Sequence, residues 1–358
     1  MVNQPDRGFY PKFLLFTIAS VCFLIFVGGI VRSTGSGMGC PDWPKCFESL
    51  IPPTSSDQLP DDYEQIYLAK RQGKNLRLAN YVEAIGFSDL AVRLRTDQAI
   101  LLETLFNPAK TWIEYLNRVL GVIIGLLVFL NVAITIIKPH RRRFIKLAIL
   151  IFLLTGFQGW VGSIVVSTNL LPGIITFHMA LALIILGMLI YNYWLTRELQ
   201  NLRVQSSDKN LNKTLMILMI SFALFSIQIV LGTQVREAVD QISGNSNEIG
   251  RDSWISLIGT RFYIHRSFSL LIAGMHAWFV YLLFKYQLAE PWKNWLNTLL
   301  VSICLSILTG ILLSYLGLPP FFQPLHLVLA TVIFGIDLYL ILELGQLKKV
   351  INSIKNES

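Results

Sequence analysis

Charge is scarce in this chain. Only 15% of its 358 residues are Asp, Glu, Lys or Arg, against roughly a quarter in average soluble domains. So few charges argue against an ordinary cytosolic enzyme. Histidine and cysteine are also few, five and four respectively. Acidic residues are missing altogether from three long stretches, 214–235, 267–284 and 295–318. That lack disfavours a di-iron centre, which needs several carboxylates and Glu-x-x-His pairs on its bundle helices. A zinc site is disfavoured as well, because no His lies near Cys40 and Cys46 in sequence.

Apolar residues are abundant, at 53% of the chain, with a mean hydropathy of +0.55. Disorder is excluded by that content. The net charge of +8 would suit nucleic acid only if basic residues clustered on a soluble fold. They do not. Eight runs are long enough to cross a bilayer: 13–31, 119–137, 147–171, 174–196, 214–235, 267–284, 295–318 and 321–341. Helices are expected for all eight, since in lipid the backbone must satisfy its own hydrogen bonds. The first run ends in Gly28-Gly29-Ile30-Val31-Arg32 without a clear small-residue cleavage site, and reads as a retained helix.

Orientation follows from the short loops. Segment 138–146 carries five Lys/Arg in nine residues and includes His140, whose reading is a solvated surface role. Together with both termini, the loops after the fourth and sixth spans and the inner ends of the spans, that face holds sixteen Lys/Arg against seven Asp/Glu. It is assigned to the cytoplasm of a multi-pass cell (inner) membrane protein. The opposite face holds fourteen Lys/Arg and fifteen Asp/Glu. It carries a long first loop, 33–114, tight turns at Pro172 and Pro319-Pro320, and a loop at 236–265. Segments 61–71 and 101–114 of the long loop are expected to form interfacial helices.

The halves repeat. Gly162 precedes His178 by 16 residues, and Gly310 precedes His326 by 16. An offset of 148 also carries Tyr115-Leu116-Asn117-Arg118 onto Tyr263-Ile264-His265-Arg266, and Pro172 onto Pro320. Gly28…Arg32 matches Gly232…Arg236 at an offset of 204. The expected fold is therefore all-α, with eight transmembrane helices as two pseudo-symmetric four-helix bundles. Residues 1–200 form the first unit with its long outer loop, and 201–358 the second. An even number of spans per unit gives both the same sense in the membrane.

His178, His265 and His326 lie at one depth, near the outer ends of their spans. Polar groups there are costly, so a functional reading competes evenly with hydrogen-bonded packing. His265 and His326, on facing helices of one unit, make a natural axial pair for a haem. The corresponding pair in the first unit is Asn117 and His178. Asn is a poor iron ligand, and Glu114 stands three residues before it on the same helical face. The asymmetry suggests a fixed cofactor in the second half and chemistry in the first, with a partner role toward Arg118 the alternative for Glu114. His276 reads as a hydrogen-bonded core histidine. Arg32, Arg118, Arg236 and Arg266 ring the outer ends, suited to carboxylates such as haem propionates or to lipid headgroups. Cys40 and Cys46 lie on the oxidising side, where a disulfide is permitted. A redox-active thiol pair is the alternative. Cys22 and Cys304 fall within spans as packing residues.

These residues carry a resemblance. The stretch Gly28-Gly29-Ile30-Val31-Arg32-Ser33-Thr34-Gly35-Ser36-Gly37-Met38-Gly39-Cys40-Pro41-Asp42-Trp43-Pro44 resembles the first-span signature of haem A synthases, and Glu114-Tyr115-Leu116-Asn117-Arg118 their Glu-x-x-His-Arg motif. The resemblance implies a membrane oxidoreductase that converts the C8 methyl of haem O to a formyl group by successive hydroxylations, for cytochrome oxidase assembly. It implies a haem b cofactor at His265 and His326, with Arg236 and Arg266, in the C-terminal half. The haem O site is implied at His178 in the N-terminal half, with Asn117, Arg32 and Arg118. Glu114 falls on the essential carboxylate, and Cys40 and Cys46 on the outer-loop cysteine pair. Asn117 departs from the family's His, which leaves one axial face of the substrate iron open. Implied partners are haem O, the haem O synthase that makes it, an unidentified electron donor and membrane lipid, without nucleic acid. A homo-oligomer is compatible with this reading. Two other functions compete: a b-type cytochrome that only relays electrons, and a haem transporter or chaperone. Neither needs Glu114.

Overall fold

The computed structural model describes residues 8–97, 105–137, 142–171, 173–196, 208–245 and 250–357. His140, Pro172 and the division expected between residues 200 and 201 lie outside them. Among the described residues there is no strand, only an isolated bridge between Cys46 and Ser49. The α-helices are α1 (Phe9–Ser33), α2 (Tyr63–Ala84), α3 (Ser88–Thr96), α4 (Pro108–Ile137), α5 (Arg142–Ser167), α6 (Ile174–Leu195), α7 (Asp208–Asn245), α8 (Trp254–Ile258), α9 (Thr260–Lys285), α10 (Lys293–Tyr315) and α11 (Phe322–Glu357). All but α2, α3 and α8 are long and apolar enough to cross a membrane.

Side chains follow the logic of lipid. Within the spans, hydroxyls turn back onto the helix: Thr17 donates to the Phe13 carbonyl at 2.9 Å and Thr155 to that of Ile151 at 2.8 Å. Phe16, Leu126, Phe129 and Leu308 stand exposed on the outside of the bundle, where hydrocarbon rather than water suits them.

Packing gathers in two large clusters. One joins Tyr10 and Leu14 of α1, Val128 of α4, Ile151 of α5 and Leu186 and Leu189 of α6. The other joins Leu218 of α7, Phe279 and Leu283 of α9, Leu299 of α10 and Leu340 of α11. Helices α1 and α6 lie against α11. The approach is close, since a Cβ on Gly29 would sit 2.9 Å from Pro324 Cβ. Deeper in the same seam, Gly187 faces Leu338 and Gly335 faces Ile190, each with 3.2 Å to an added Cβ. Positions 187 and 335 are 148 apart, and so are 190 and 338. The contact is thus reciprocal under the sequence offset.

Several helices outrun their hydrophobic runs. Helix α4 starts at Pro108, so Glu114 sits inside the spanning helix and not on a separate interfacial one. Of the expected segment 101–114, residues 101–104 lie outside the described ones. Helix α7 continues through Arg236, Glu237 and Asp240, which the hydropathy placed in a loop. Helix α2 runs to Ala84, well beyond the expected 61–71. Each polar extension has partners. Thr111 donates to the Gly39 carbonyl at 2.8 Å, and Arg95 of α3 bonds Asn80 (2.8 Å) and Glu83 (2.5 Å) of α2. Helix continuation costs little when polar residues, among them the good helix formers Arg and Glu, find such contacts.

Candidate functional site

Four residues, Asn117, His178, His265 and His326, each face a glycine on a neighbouring helix. An added Cβ on Gly28 would lie 3.9 Å from Asn117 Oδ1. On Gly162 it would lie 3.3 Å from His178 Cε1, on Gly232 3.1 Å from His265 Cε1, and on Gly310 3.5 Å from His326 Cε1. These are the positions that the offsets of 148 and 204 relate. A missing side chain on the neighbouring helix gives each of these groups room that any other residue would fill.

The polar atoms around the rings are distinctive. His326 Nδ1 lies 3.1 Å from the Ser306 carbonyl and 3.0 Å from Thr309 Oγ1. A carbonyl only accepts, so Nδ1 carries a proton, and Nε2 is the ring nitrogen that can bind a metal when the imidazole is neutral. Gln158 Nε2 donates to the His178 carbonyl at 3.0 Å, and Gln228 Nε2 to the His265 carbonyl at 2.9 Å. The Nδ1 atoms of His178 and His265 and the Oδ1 of Asn117 are buried without a hydrogen-bond partner among the described residues. Buried polar atoms are rarely left so.

The His265 and His326 rings face each other with centroids 6.4 Å apart and planes at 74°. Two first-row metal–imidazole bonds of about 2 Å each, plus the half-widths of two rings, ask for about 6 Å. The donor set, two imidazoles of which one has its Nδ1 proton directed at a backbone carbonyl, suits a haem iron. At the corresponding level of the other half, His178 is the one imidazole among the described residues, and Asn117 stands at the position that matches His265.

Above the first half, Cys40 and Cys46 form the expected disulfide. The loop it closes is bolted to α4. The Cys40 N–H donates to Glu114 Oε2 at 2.9 Å, and Arg118 donates to Glu114 Oε1 at 2.6 Å. Arg118 also donates to the carbonyls of Cys40 (3.1 Å), Asp42 (2.6 Å) and Lys45 (2.9 Å). Glu114, 3% exposed, is therefore at once the carboxylate one turn from Asn117 and the floor of the disulfide loop. Arg118 is spent on the same loop.

The other arginines separate. Arg32 of α1 and Arg236 of α7 share Asp240, at 2.7 and 2.5 Å. Arg236 also donates to the Arg32 carbonyl at 2.9 Å and to Gln323 of α11. This belt joins the two halves. Next to it, Glu237 accepts from the Gly173 N–H and the Thr176 hydroxyl, both at 2.9 Å. Arg266 stacks over Tyr263, 5.1 Å from its centroid. The sequence reading missed Asp240 and Glu237, hidden in a segment taken as loop.

Deeper in the second half, His276 and Asp337 pair at 2.9 Å, with 1% and 0% side-chain exposure. The sequence did hold a signal. His276 follows His265 by 11 residues and Asp337 follows His326 by 11, which puts both about 16 Å further into the membrane.

Comparison with known proteins bears on this arrangement. The family model of the cytochrome oxidase assembly protein (COX15-CtaA) matches residues 11–85 and 95–338. Curated relatives include a Heme A synthase of Flavobacterium psychrophilum, 24% identical over 356 residues, which covers 92% of this chain and 97% of that protein. A Heme A synthase of Shewanella oneidensis is 24% identical over 219 residues, 61% of this chain and only about half (54%) of that protein. One from Granulibacter bethesdensis is 28% identical over 159 residues, covering 43% of this chain and 36% of the relative.

Proposed function

Because the chain belongs to the COX15-CtaA family of cytochrome oxidase assembly proteins, the haem A synthases among its relatives, we propose that it is a membrane oxidoreductase of haem A biosynthesis that oxidises the C8 methyl of haem O to a formyl group. Residues 1–200 take the substrate and residues 201–358 hold haem b, the two halves related by a pseudo-two-fold axis along the membrane normal. The reciprocal contacts of Gly187 and Gly335 support that symmetry. The histidine-bearing end faces outward and both termini face the cytoplasm, on the charge asymmetry of the loops.

The observation that carries this reading is the level of four glycine-faced positions, three with imidazole and one with an amide. His265 and His326 hold the cofactor iron, with Ser306 fixing the His326 tautomer. Bound there, haem b supplies one-electron chemistry next to the substrate half. His178 holds the substrate iron from one side, and Asn117, a poor ligand, leaves the other side open for reaction. Glu114 is the only acidic residue of α4. It sits one turn from Asn117, accepts two hydrogen bonds, and is the carboxylate placed to take or steady charge at the reacting methyl. Arg32 and Arg118, held by Asp240 and Glu114, frame the mouth of the substrate half, and Arg236 and Arg266 that of the cofactor half.

Co-expression with a haem O synthase, then extraction and chromatography of the haems, tests the reading. Haem A is expected only when this protein is present, and Glu114→Ala is expected to abolish it while haem b stays bound. Recovery of haem B and haem O alone would leave an electron relay and sink the synthase. Loss of the low-spin spectrum is expected for His265→Ala and for His326→Ala.

A further inference from the structure

Helix α6 carries His178 one turn from its N-terminus, and that end has no cap of its own. The N-cap is Gly173, at φ 88°, which supplies no side chain, and the first turn holds no acidic residue. Helices ordinarily cover their first N–H groups with a local side chain and favour negative charge there. Here both come from α7, a helix of the other bundle. Glu237 of α7 accepts from the Gly173 N–H and from the Thr176 hydroxyl, each at 2.9 Å. Thr233, one turn earlier on α7, stands 2.9 Å from the same hydroxyl. Its own proton goes to the Val230 carbonyl at 2.7 Å, so Thr176 is the donor to both neighbours.

The place related to this one by the sequence offsets is built differently. Thr176 lies 148 positions before Pro324, and Thr233 lies 204 after Gly29. The Thr176–Thr233 contact therefore corresponds to the Pro324–Gly29 contact. Thr176 and Pro324 each stand two residues before an imidazole, His178 and His326. On the His326 side the join is apolar and close, with an added Gly29 Cβ 2.9 Å from Pro324 Cβ. At the place matching Glu237 stands Ser33, whose hydroxyl turns back to the Ile30 carbonyl of its own helix at 3.2 Å. The His326 helix is thus held here by shape, and the His178 helix by hydrogen bonds. Helix α7 serves both levels, since Gly232, five residues before Glu237, faces His265.

We propose that Glu237 is a positioning residue for His178. It fastens the start of α6 to α7 as a hydrogen-bond acceptor, and so fixes where the imidazole stands relative to the cofactor half. The proposal rests on the reading of His178 as the ligand of the substrate iron. Glu237 itself touches neither substrate nor cofactor and acts through the helix end. Its two bonds anchor the turn from which His178 projects, and a ligand that loses its supporting contacts typically binds metal about 10–100-fold more weakly.

Zinc protoporphyrin IX, titrated into the full-length protein carrying its resident haem, tests this. Its zinc takes one axial imidazole, and coordination shifts its visible absorption to the red. The wild type and Glu237→Gln, whose amide oxygen can accept the same bonds, are expected to show the imidazole-bound absorption with similar affinity. Glu237→Ala is expected to bind about tenfold more weakly, the lower end of the range for lost support of a ligand. Thr176→Val, which keeps the shape but not the donor, should fall between. The low-spin absorbance of the resident haem should be the same in all four. Unchanged porphyrin affinity and absorption in Glu237→Ala overturn the proposal, and so does a Glu237→Gln protein as weak as Glu237→Ala. Loss of the resident haem along with the porphyrin makes Glu237 a general fastener of the fold and overturns it as well. His178→Ala separates the two readings. If it keeps the imidazole-bound absorption, or if the wild type never shows it, His178 is not the ligand, and the positioning role falls with the substrate site. Absorption lost in His178→Ala but kept in full by Glu237→Ala refutes the role of Glu237 alone.

Discussion

Adding one methyl group to each of the four glycines that face Asn117 and the three histidines should produce a graded response. Carbon atoms pack best at about 3.5–4.0 Å. The Cβ of Gly232→Ala would lie 3.1 Å from His265 Cε1, so the ring must retreat by about 0.4 Å. For Gly162→Ala the distance to His178 is 3.3 Å and the shift about 0.2 Å. Gly310→Ala, at 3.5 Å, needs none, and Gly28→Ala, at 3.9 Å from Asn117 Oδ1, leaves room. Metal–ligand distances tolerate about 0.2 Å. Gly232→Ala exceeds that, Gly162→Ala meets it, and the other two fall within it. Disturbing the surroundings of a ligating histidine typically costs about 10–100-fold in affinity, and Gly232→Ala is expected in that range for haem b. Meanwhile each substitution gains up to about 1 kcal/mol of helix propensity, so the polypeptide itself should not unfold sooner. The assay is haem content and low-spin absorbance of the purified variants, with thermal unfolding measured alongside. Full haem content in Gly232→Ala together with loss in Gly310→Ala would refute the geometry.

Three further outcomes follow from the packing. Gly29→Ala forces α1 away from the Pro324 backbone, 3.0 Å from the new Cβ, and should destabilise by about 1–3 kcal/mol in thermal unfolding; an unchanged midpoint would show that the seam yields freely. Asp240→Ala strands two arginines that keep 17% and 21% exposure, at a cost of about 2 kcal/mol, below the range for fully buried pairs. Equal stability would remove Asp240 from the join between halves. Asp337→Ala leaves His276 Nε2 without its partner, Nδ1 keeping the Ile272 carbonyl, and should cost about 1–3 kcal/mol, whereas a His276→Leu/Asp337→Leu double variant should recover most of it. Because the pair lies about 16 Å from the ring-facing level, the haem spectrum should not move in either, and a shifted spectrum would contradict that separation.

The spans were legible to within a turn or two wherever hydropathy decides the helix end, as at Phe9–Ser33 and Ile174–Leu195. Hydropathy failed where a helix leaves the apolar layer but keeps going. Helix α7 carries Arg236, Glu237 and Asp240 onward because each finds a partner on another helix, Arg236 on α1 and α11, Glu237 on α6 and Asp240 on α1, and such pairing is invisible to a window along one stretch of sequence. The glycine-to-histidine spacing of 16 identified the ring-facing level directly. The Cys40–Cys46 bond was legible from compartment and spacing, but the anchoring of its loop on Glu114 was not, since Cys40 and Glu114 are 74 residues apart. The His276–Asp337 pair was written in the sequence as two equal steps of 11, readable only once His265 and His326 are taken as level.

The reciprocal contacts of Gly187 and Gly335 are those of a self-complementary surface. A dimer of identical half-length chains would make them twice from one set of residues, and would be obliged to make everything else twice as well. Joining the two copies in one chain lifts that obligation. Asp240 clasps Arg32 from one side only, and the residue 204 positions earlier is Ser36. His265 has Asn117 as its counterpart, and Glu114 has Phe262. A homodimer would have to carry either two such carboxylates or none. The fused chain can keep one seam common to both halves while each acquires its own residues, which is what the proposed division between a cofactor half and a substrate half requires.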